Sequence, residues 1–429
     1  MALTQLLLSY LSPELGPPIL IACLLCYIWW WTSTPLNRVK NLGDLGYVLP
    51  SREKNNKQWL VRQAQRLRKT GDAPPVYPNG WFCIAESPDL QAGQVRPVVV
   101  FGQQLALFRS ESGEVSLLDA YCPHLGANLA CGGRVVKDNC LQCPFHGWSF
   151  DGKTGKCVEV PYSAQLPEKA KVAVWLVVER NKHIYIWFHC DGLEPTWELP
   201  TIPEVESGEW TYRGRLEHEL NSHIEETPEN GADIAHLNHL HLHGILDGNN
   251  ITKIDLDNYK PWNQHIWHGS WVQQPEPRSH VGVMTVDHVM LIKGITVPFT
   301  TTHLEAEQLG PGVVYMMFDF GILGKGTTIH HITPEEPLLQ RTRFVMYASG
   351  RMPGLLSKLF LLSEACQFER DITIWNNKCY QSKPYLVKED ATILRHRRWF
   401  SQFFTENSPR LQPDGSVTNM DRVKSVNDW

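Results

Sequence analysis

Apolar positions follow several different rules along this chain. From 6 to 31 the residues are predominantly apolar, and Glu14 is the only side chain there charged at neutral pH. Pro17 and Pro18 precede an unbroken apolar run, 19–31, that ends on Trp29, Trp30 and Trp31. That run is short for a spanning helix, which needs about 20 residues. It reaches the lower end of the range if the prolines open the helix near Gly16 and it continues through Thr32. Three tryptophans suit a membrane interface. The pattern predicts a transmembrane anchor over 1–36. A cleaved signal peptide is the competing reading, opposed by the lack of basic residues ahead of the run and of a small-residue cleavage site close behind it. A polar, basic connector follows over 37–75. Within it, Leu60, Val61, Ala64 and Leu67 recur at helical spacing and predict a helix over 57–69. Its basic face suits anionic headgroups or plain solvent equally well.

From residue 76 short β-rich runs take over. Runs at 98–101, 104–109, 115–119, 172–179 and 183–188 read as strands, separated by turn signals such as Ser112-Gly113 and Asp151-Gly152. They predict a small antiparallel β domain over 76–195. A Pro/Glu-rich entry, 200–208, opens a second domain over 196–429. Strand patterns recur there at 212–219, 265–273, 280–293, 300–307, 313–318, 327–333 and 342–348, with helical patterns at 228–239 and 354–376. The class is α+β: many antiparallel strands with a long late helix laid on the sheet.

Composition narrows the picture. A net charge of −5 gives no argument for nucleic acid. Sixteen tryptophans suggest large apolar surfaces or pockets. Eleven cysteines without framework spacing predict free thiols in a reducing compartment. Arg38, Lys40, Arg52, Lys54 and Lys57 follow the apolar run, which predicts a cytosolic body behind a single-pass anchor.

The chemistry begins at Cys122-Pro-His124 and, after eighteen intervening residues, Cys143-Pro-Phe-His146-Gly-Trp148. Two Cys and two His arranged as C-x-H and C-x2-H match a Rieske [2Fe–2S] centre, with two thiolates on one iron and two imidazoles on the other. Each loop can then give one ligand to each iron. A Cys2His2 zinc site uses the same ligand types, but zinc modules usually group Cys with Cys and His with His. Cys131, Cys140 and Cys157 nearby read as packing residues.

A second cluster is Glu229-Asn-Gly-Ala-Asp233-Ile-Ala-His236-Leu-Asn-His239-Leu-His241-Leu-His243, four histidines in eight residues. A His/carboxylate set with open positions suits a non-haem Fe(II) that must bind O2. On an ideal helix His239 and His243 share a face. His236 and His241, five apart, lie about 140° apart and require a bend or a helix end between them. Periodicity alone favours the first pair.

The loops CPHLGANL and CPFHGWSFDG resemble those of Rieske non-haem iron oxygenases. The family pattern D-x2-H-x4-H falls on Asp233, His236 and His241, and the late element E-x-D-x2-I-W falls on Glu369 to Trp375. The resemblance therefore implies His236, His241 and Asp371 as iron ligands, with Glu364 a weaker carboxylate candidate. It implies that Asp233 binds no iron and instead links a cluster histidine to His236 across subunits of a head-to-tail homotrimer. It implies a helix-grip (START-like) catalytic domain. High-potential Rieske proteins carry an extra Cys in each loop, where this chain has Ala127 and Phe145, and a donor Ser where it has Trp148. These differences imply a lower-potential, oxygenase-type cluster.

Anchor, connector and both motif sets together, with ENGADIAHLNHLH and ERDITIWNNK, resemble the Neverland-type cholesterol 7-desaturases, relatives of bacterial steroid hydroxylases. That resemblance implies conversion of cholesterol to 7-dehydrocholesterol. Electrons would pass from NAD(P)H through a ferredoxin or flavin reductase to the cluster, then to iron and O2. It also implies membrane lipid as a neighbour and the endoplasmic reticulum as location. The sterol pocket is expected within 283–295 and 315–323. Two other readings stand beside it: a Rieske hydroxylase acting on another steroid or apolar substrate, and a pure electron-transfer Rieske protein.

Overall fold

The computed structural model describes residues 16–47, 56–297 and 301–419. Short strands, several of them buried on both faces, build three small sheets ahead of residue 190. One runs Val174–Trp175, Val115–Asp119, Gln103–Arg109, Val95–Val100, and a second Val177–Arg180, His183–Phe188, Gly80–Glu86. The third joins the short strands Arg134–Val136, Cys140–Gln142, Ser149–Asp151 and Cys157–Glu159. Ala106, Phe108, Leu118, Leu129, Leu141 and Phe150 form the core beneath this last sheet, and Cys122 and Cys143 are part of it. Cys140 and Cys157 are buried as expected, whereas Cys131 is exposed, and all eleven cysteines are free thiols.

The rest of the chain is organised by one nine-stranded sheet. Its order is Leu36–Lys40, Trp210–Asn221, Leu339–Ser349, Lys325–Glu336, Val313–Asp319, Thr302–Leu309, Val281–Ile292, Asn263–Gln273, with Ile295–Thr296 paired to Val281–Ile292. Every pairing is antiparallel except the first, where Leu36–Lys40 lies parallel to Trp210–Asn221. A five-residue strand from the basic stretch thus closes one edge of the large sheet. The amphipathic pattern in the same stretch becomes the helix Lys57–Leu67, with Val61 buried.

The helix Gly354–Trp375 lies on this sheet. Leu361, Ala365, Phe368 and Ile372 pack on Leu216, Leu220, Phe344 and Met346. This burial stabilises the layer by roughly 1.5–3 kcal/mol for each large side chain. The expected helix over 228–239 is instead two short turns, Glu226–Glu229 and Ile234–Leu237.

The N-terminal expectation is corrected. Residues 1–15 of the predicted anchor lie outside the described residues, as do Arg52 and Lys54. The remainder forms the helix Gly16–Ser33. Among the described residues no helix is long and apolar enough to cross a membrane. Two prolines open this helix, and three tryptophans with Thr32 and Ser33 close it. Its aliphatic stretch, Ile19 to Ile28, rises only about 15 Å, half of a ~30 Å hydrocarbon core. Its last turn rests on the long helix instead: Lys358 Nζ lies 4.5 Å from the centre of the Trp31 ring and also bonds the Trp31 carbonyl.

Glu369 ties the edge strand to the long helix. Arg38 donates to it through Nε at 2.6 Å and Nη2 at 2.8 Å, His218 Nε2 lies 3.2 Å away, and Asn249 donates as well. Burial alone would raise this carboxyl. The bonds from His218, Arg38 and Asn249 outweigh it and hold the group at about 2, below the ordinary 4.5. A depressed carboxyl stabilises the fold above its unfolded value, and that contribution is lost as pH falls through about 4.5 toward 2. The stability difference between the wild type and Glu369→Gln, measured by urea unfolding at stepped pH, is therefore expected to shrink across that window. Arg38→Ala is expected to cost about 3 kcal/mol at neutral pH, at the low end for one-sided loss of a buried partner, because the Arg38 side chain keeps 32% of its exposure.

Candidate functional site

The two Cys/His loops share one construction. In each, the glycine four residues after the cysteine donates its N–H to the cysteine carbonyl, Gly126 to Cys122 at 2.9 Å and Gly147 to Cys143 at 3.1 Å. Both glycines have positive φ, 75° and 74°, which other residues resist. At Gly147 a Cβ would also meet Pro161 Cγ at 2.9 Å. The loops bring His124 and His146 to a centroid distance of 4.7 Å, and Trp148 stacks on His124 at 4.5 Å with an interplanar angle of 6°. The Trp148 indole N–H donates to Tyr162 Oη at 2.8 Å. Cys122 and Cys143 are both 3% exposed.

These residues fit a two-iron cluster better than a single zinc ion. A tetrahedral ion with bonds of about 2.0–2.3 Å needs its donors mutually close. Among the described residues, no three of these four donors lie within 4.8 Å of one another. His146 Nδ1 is buried without a hydrogen-bond partner, as a ligand atom would be. Burial pushes the Cys122 thiol up to about 11. Ionising it requires a strong local positive charge such as a bound iron.

The second constellation is built on the large sheet and its helix. Asp233 caps the turn Ile234–Leu237, its Oδ1 accepting the His236 N–H at 3.2 Å. That turn ends at Leu237, so His241 leaves the helical path and swings round to face His236, with ring centroids 5.0 Å apart. This helix end is what a five-residue spacing demands. His236, His241 and Asp371 bring their ligand atoms within 4.8 Å of one another. His241 Nε2 is 3.1 Å from Asp371 Oδ1. The periodicity-favoured pair is not gathered there. His239 is exposed beside Tyr259, and His243 is buried 3.5 Å from Asp247. Glu364 lies on the same helix but pairs with His330.

Each metal-facing imidazole has its other nitrogen fixed. His236 Nδ1–H donates to the Asp233 carbonyl, and His241 Nδ1–H donates to Gln367 Oε1 at 2.8 Å. Both Nε2 atoms are left as lone-pair donors. Burial lowers the His236 imidazole, which keeps it neutral for the same purpose. Arg370 Nη1 donates to Gln367 Oε1 at 3.0 Å and to the carbonyls of Leu240 and His243. Gln367 and Arg370 were not foreseen. The only signal was their place in one helix with Asp371, at i−4 and i−1. A further trio, His189, Cys190 and Asp191, also lies close together. Thr405, Asn407 and Ser408 engage Cys190 and Asp191, and His189 Nδ1 accepts the Asp191 N–H, so it reads as a loop tie.

The three residues open onto a cavity of about 480 Å³. Met284, Val286, Met290, Met316, Phe320 and Leu323, from the two stretches expected to line it, are present, and Trp267, Trp271, Leu356 and Phe360 complete the wall. Volume and lining suit an apolar ligand of sterol size. His265 and His288 form one polar station in it, with Nδ1 to Nε2 at 2.6 Å. Burial lowers these imidazoles to about 3 and about 4.

Residues 80–173 match the Rieske [2Fe-2S] domain and residues 186–404 the 3-ketosteroid 9alpha-hydroxylase C-terminal domain. The chain is 51% identical over 417 residues to the cholesterol 7-desaturase of Caenorhabditis elegans, covering 96% of each protein. It is 45% identical over 397 residues to that of Xenopus laevis, covering 92% of this chain and 86% of the relative. Its fold is similar to dicamba monooxygenase bound to dicamba, with a TM-score of 0.53 at 18% identity over 77% of this chain and 98% of that one.

Replacing His236 or Asp371 by Ala is expected to abolish mononuclear iron while leaving the cluster's visible absorption intact, as read by metal analysis and spectroscopy. Gln367→Leu is expected to weaken Fe(II) affinity about 10–100-fold, the usual effect of losing a group that orients a ligand.

Proposed function

Because the chain belongs to the cholesterol 7-desaturase family of Rieske oxidoreductases, we propose that it removes the hydrogens at C7 and C8 of cholesterol and forms 7-dehydrocholesterol. The observation that carries this reading is the junction of His236, His241 and Asp371 with a sterol-sized apolar cavity. A pure electron carrier needs neither. We assign Cys122 and Cys143 to one iron of the cluster and His124 and His146 to the other, within 76–195. His236, His241 and Asp371 hold the mononuclear iron, within 196–429. When bound, these groups supply one-electron transfer and O2 activation, with NAD(P)H and a ferredoxin or flavin reductase as the source.

The protein's own share is placement and exclusion. Gln367 and the Asp233 carbonyl aim the two imidazoles. The aromatic and methionine wall takes an apolar body out of water and presents one edge of it to the metal trio. Asp233 is the further positioning residue. Its side chain keeps 31% of its exposure beside His236, which leaves an edge free for a second imidazole. Around the cluster loops Leu125 and Phe145 are 65% and 62% exposed, an apolar tip that would be covered by docking. Both features support a cyclic homotrimer in which one subunit's His124 or His146 meets the next subunit's Asp233. A sterol substrate also supports work at a membrane surface, with the endoplasmic reticulum the natural site.

The match to a steroid hydroxylase domain favours one alternative, oxygen insertion into a steroid. Mass analysis of the product formed from cholesterol with a ferredoxin–reductase pair and NAD(P)H decides between them. Desaturation predicts loss of two hydrogens, and a gain of one oxygen would overturn it. Asp233→Ala is expected to retain both metal centres yet lower turnover about 10–100-fold. Unchanged turnover and unchanged cluster oxidation kinetics would remove its bridging role.

A further inference from the structure

One ionisable pair faces the cavity without belonging to the metal trio. Glu364 and His330 both line it, and His330 Nε2 lies 2.8 Å from Glu364 Oε1. The imidazole is held from two sides. It stacks on Phe344 with centroids 3.9 Å apart and an angle of 14°, and Thr328 Oγ1 is 3.0 Å from Nε2. Both Glu364 carboxylate oxygens are buried and neither has a hydrogen-bond partner, so the close approach of His330 leaves both acceptors open. A carboxylate oxygen left unpaired against apolar walls is costly unless something in the cavity donates to it. Other orphaned polar atoms of the lining, Thr227 Oγ1, Gln308 Nε2 and Gln367 Nε2, carry no charge, and the two amide nitrogens only donate. The His265–His288 station makes no such demand. His265 bonds His288, whose Nδ1 lies 3.3 Å from Thr302 Oγ1, so that chain is internally satisfied.

We propose that Glu364, beside His330, is the specificity-determining acceptor for the sterol 3-hydroxyl. The assignment rests on the reading of the cavity as a sterol site. Its position supports it. Glu364 precedes Asp371 by seven residues on the helix Gly354–Trp375. Seven residues place it on nearly the same face, about 10 Å along the axis. Ordinary carbon–carbon bond lengths put the 3-oxygen of a sterol about 6 Å from C7. A hydrogen bond of about 2.8 Å to Glu364 and a non-bonded approach of about 4 Å between C7 and the metal site extend this to about 13 Å, which two side chains starting about 10 Å apart can bracket by splaying outward. A sterol laid along this helix with its hydroxyl on Glu364 therefore presents C7 to His236, His241 and Asp371, and the C17 side chain points away into the remaining cavity. A carboxylate accepts hydrogen bonds and donates none. The pocket so built selects a 3-hydroxyl over a 3-keto group or a 3-ether.

Binding of tritiated cholesterol to the metal-loaded protein, with competition by its 3-O-methyl ether and by the 3-keto analogue, tests this directly. In the wild type cholesterol is expected to bind about 10–100-fold more tightly than either competitor, the usual return on a hydrogen bond to a buried charge. Glu364→Leu is expected to bind all three within about threefold of one another. Glu364→Gln, whose amide can donate, is expected to gain on the 3-keto analogue. Equal binding of the three ligands by the wild type needs no variant to interpret and would overturn the assignment, as would a cholesterol preference that survives in Glu364→Leu. If none of the three binds the wild type, the sterol reading itself fails and the assignment falls with it.

Discussion

Three consecutive charged side chains, Glu369, Arg370 and Asp371, are buried on one helix, and a different part of the chain meets each of them. Successive residues on a helix point about 100° apart. Glu369 thus reaches the edge strand and Arg38, Arg370 reaches the loop that carries the histidines, and Asp371 reaches His241. A buried charge left alone costs several kcal/mol. The helix can dock on the sheet only if the strand, the loop and the metal site are assembled at the same time. Arg370 shows this most directly. It is 0% exposed and its guanidinium donates to the carbonyls of Leu240, His243, Gly244 and Gly248. The loop has few backbone partners of its own, among them the bridge between His243 and Gln264, and the guanidinium caps four further carbonyls. The loop is thereby held where His241 faces His236.

The same helix also forms a wall of the cavity. From Leu356 through Phe360, Glu364, Gln367 and Phe368 to Asp371 one face runs from an apolar end to a metal-binding end. Facing it, the long antiparallel strands contribute alternate side chains, such as Met284, Val286 and Met290, at the spacing of two that a strand imposes. The cavity surface is mainly apolar. The His236–His241–Asp371 trio, the His265–His288 chain and the Glu364–His330 pair sit at separate stations, so an apolar ligand is oriented by a small number of points while the walls exclude water.

The cluster loops follow a different logic. They are local structures on a small β domain, and two Cys-x3-Gly turns of the same form set both cysteine and histidine directions. Little beyond Trp148 and Tyr162 is needed to hold them. This is why they were readable as motifs. The strands were readable too, because an antiparallel sheet with one buried face writes its period of two into the chain. Seven strand patterns and the late helix in the second half, and the helix over 57–69, all have counterparts close to the predicted positions.

Other features were not local and left weak signals. Four histidines within eight residues announced a metal, but helical periodicity favoured His239 and His243. His236 and His241 meet only because the turn capped by Asp233 stops at Leu237. The apolar N-terminal run suggested a spanning anchor by composition. Its prolines and tryptophans shorten the aliphatic stretch, and its last turn lies against Lys358. Gln367, Arg370 and the Arg38–Glu369 pair had no sequence signature, since their partners lie more than a hundred residues away. Spacing along the chain therefore determined ligand types, strand period and the two cofactor chemistries, because each depends on neighbours a few residues apart. Which histidines converge, how buried charges are matched and where a sterol would lie were decided by packing, because those depend on a sheet and a helix that bring distant segments together.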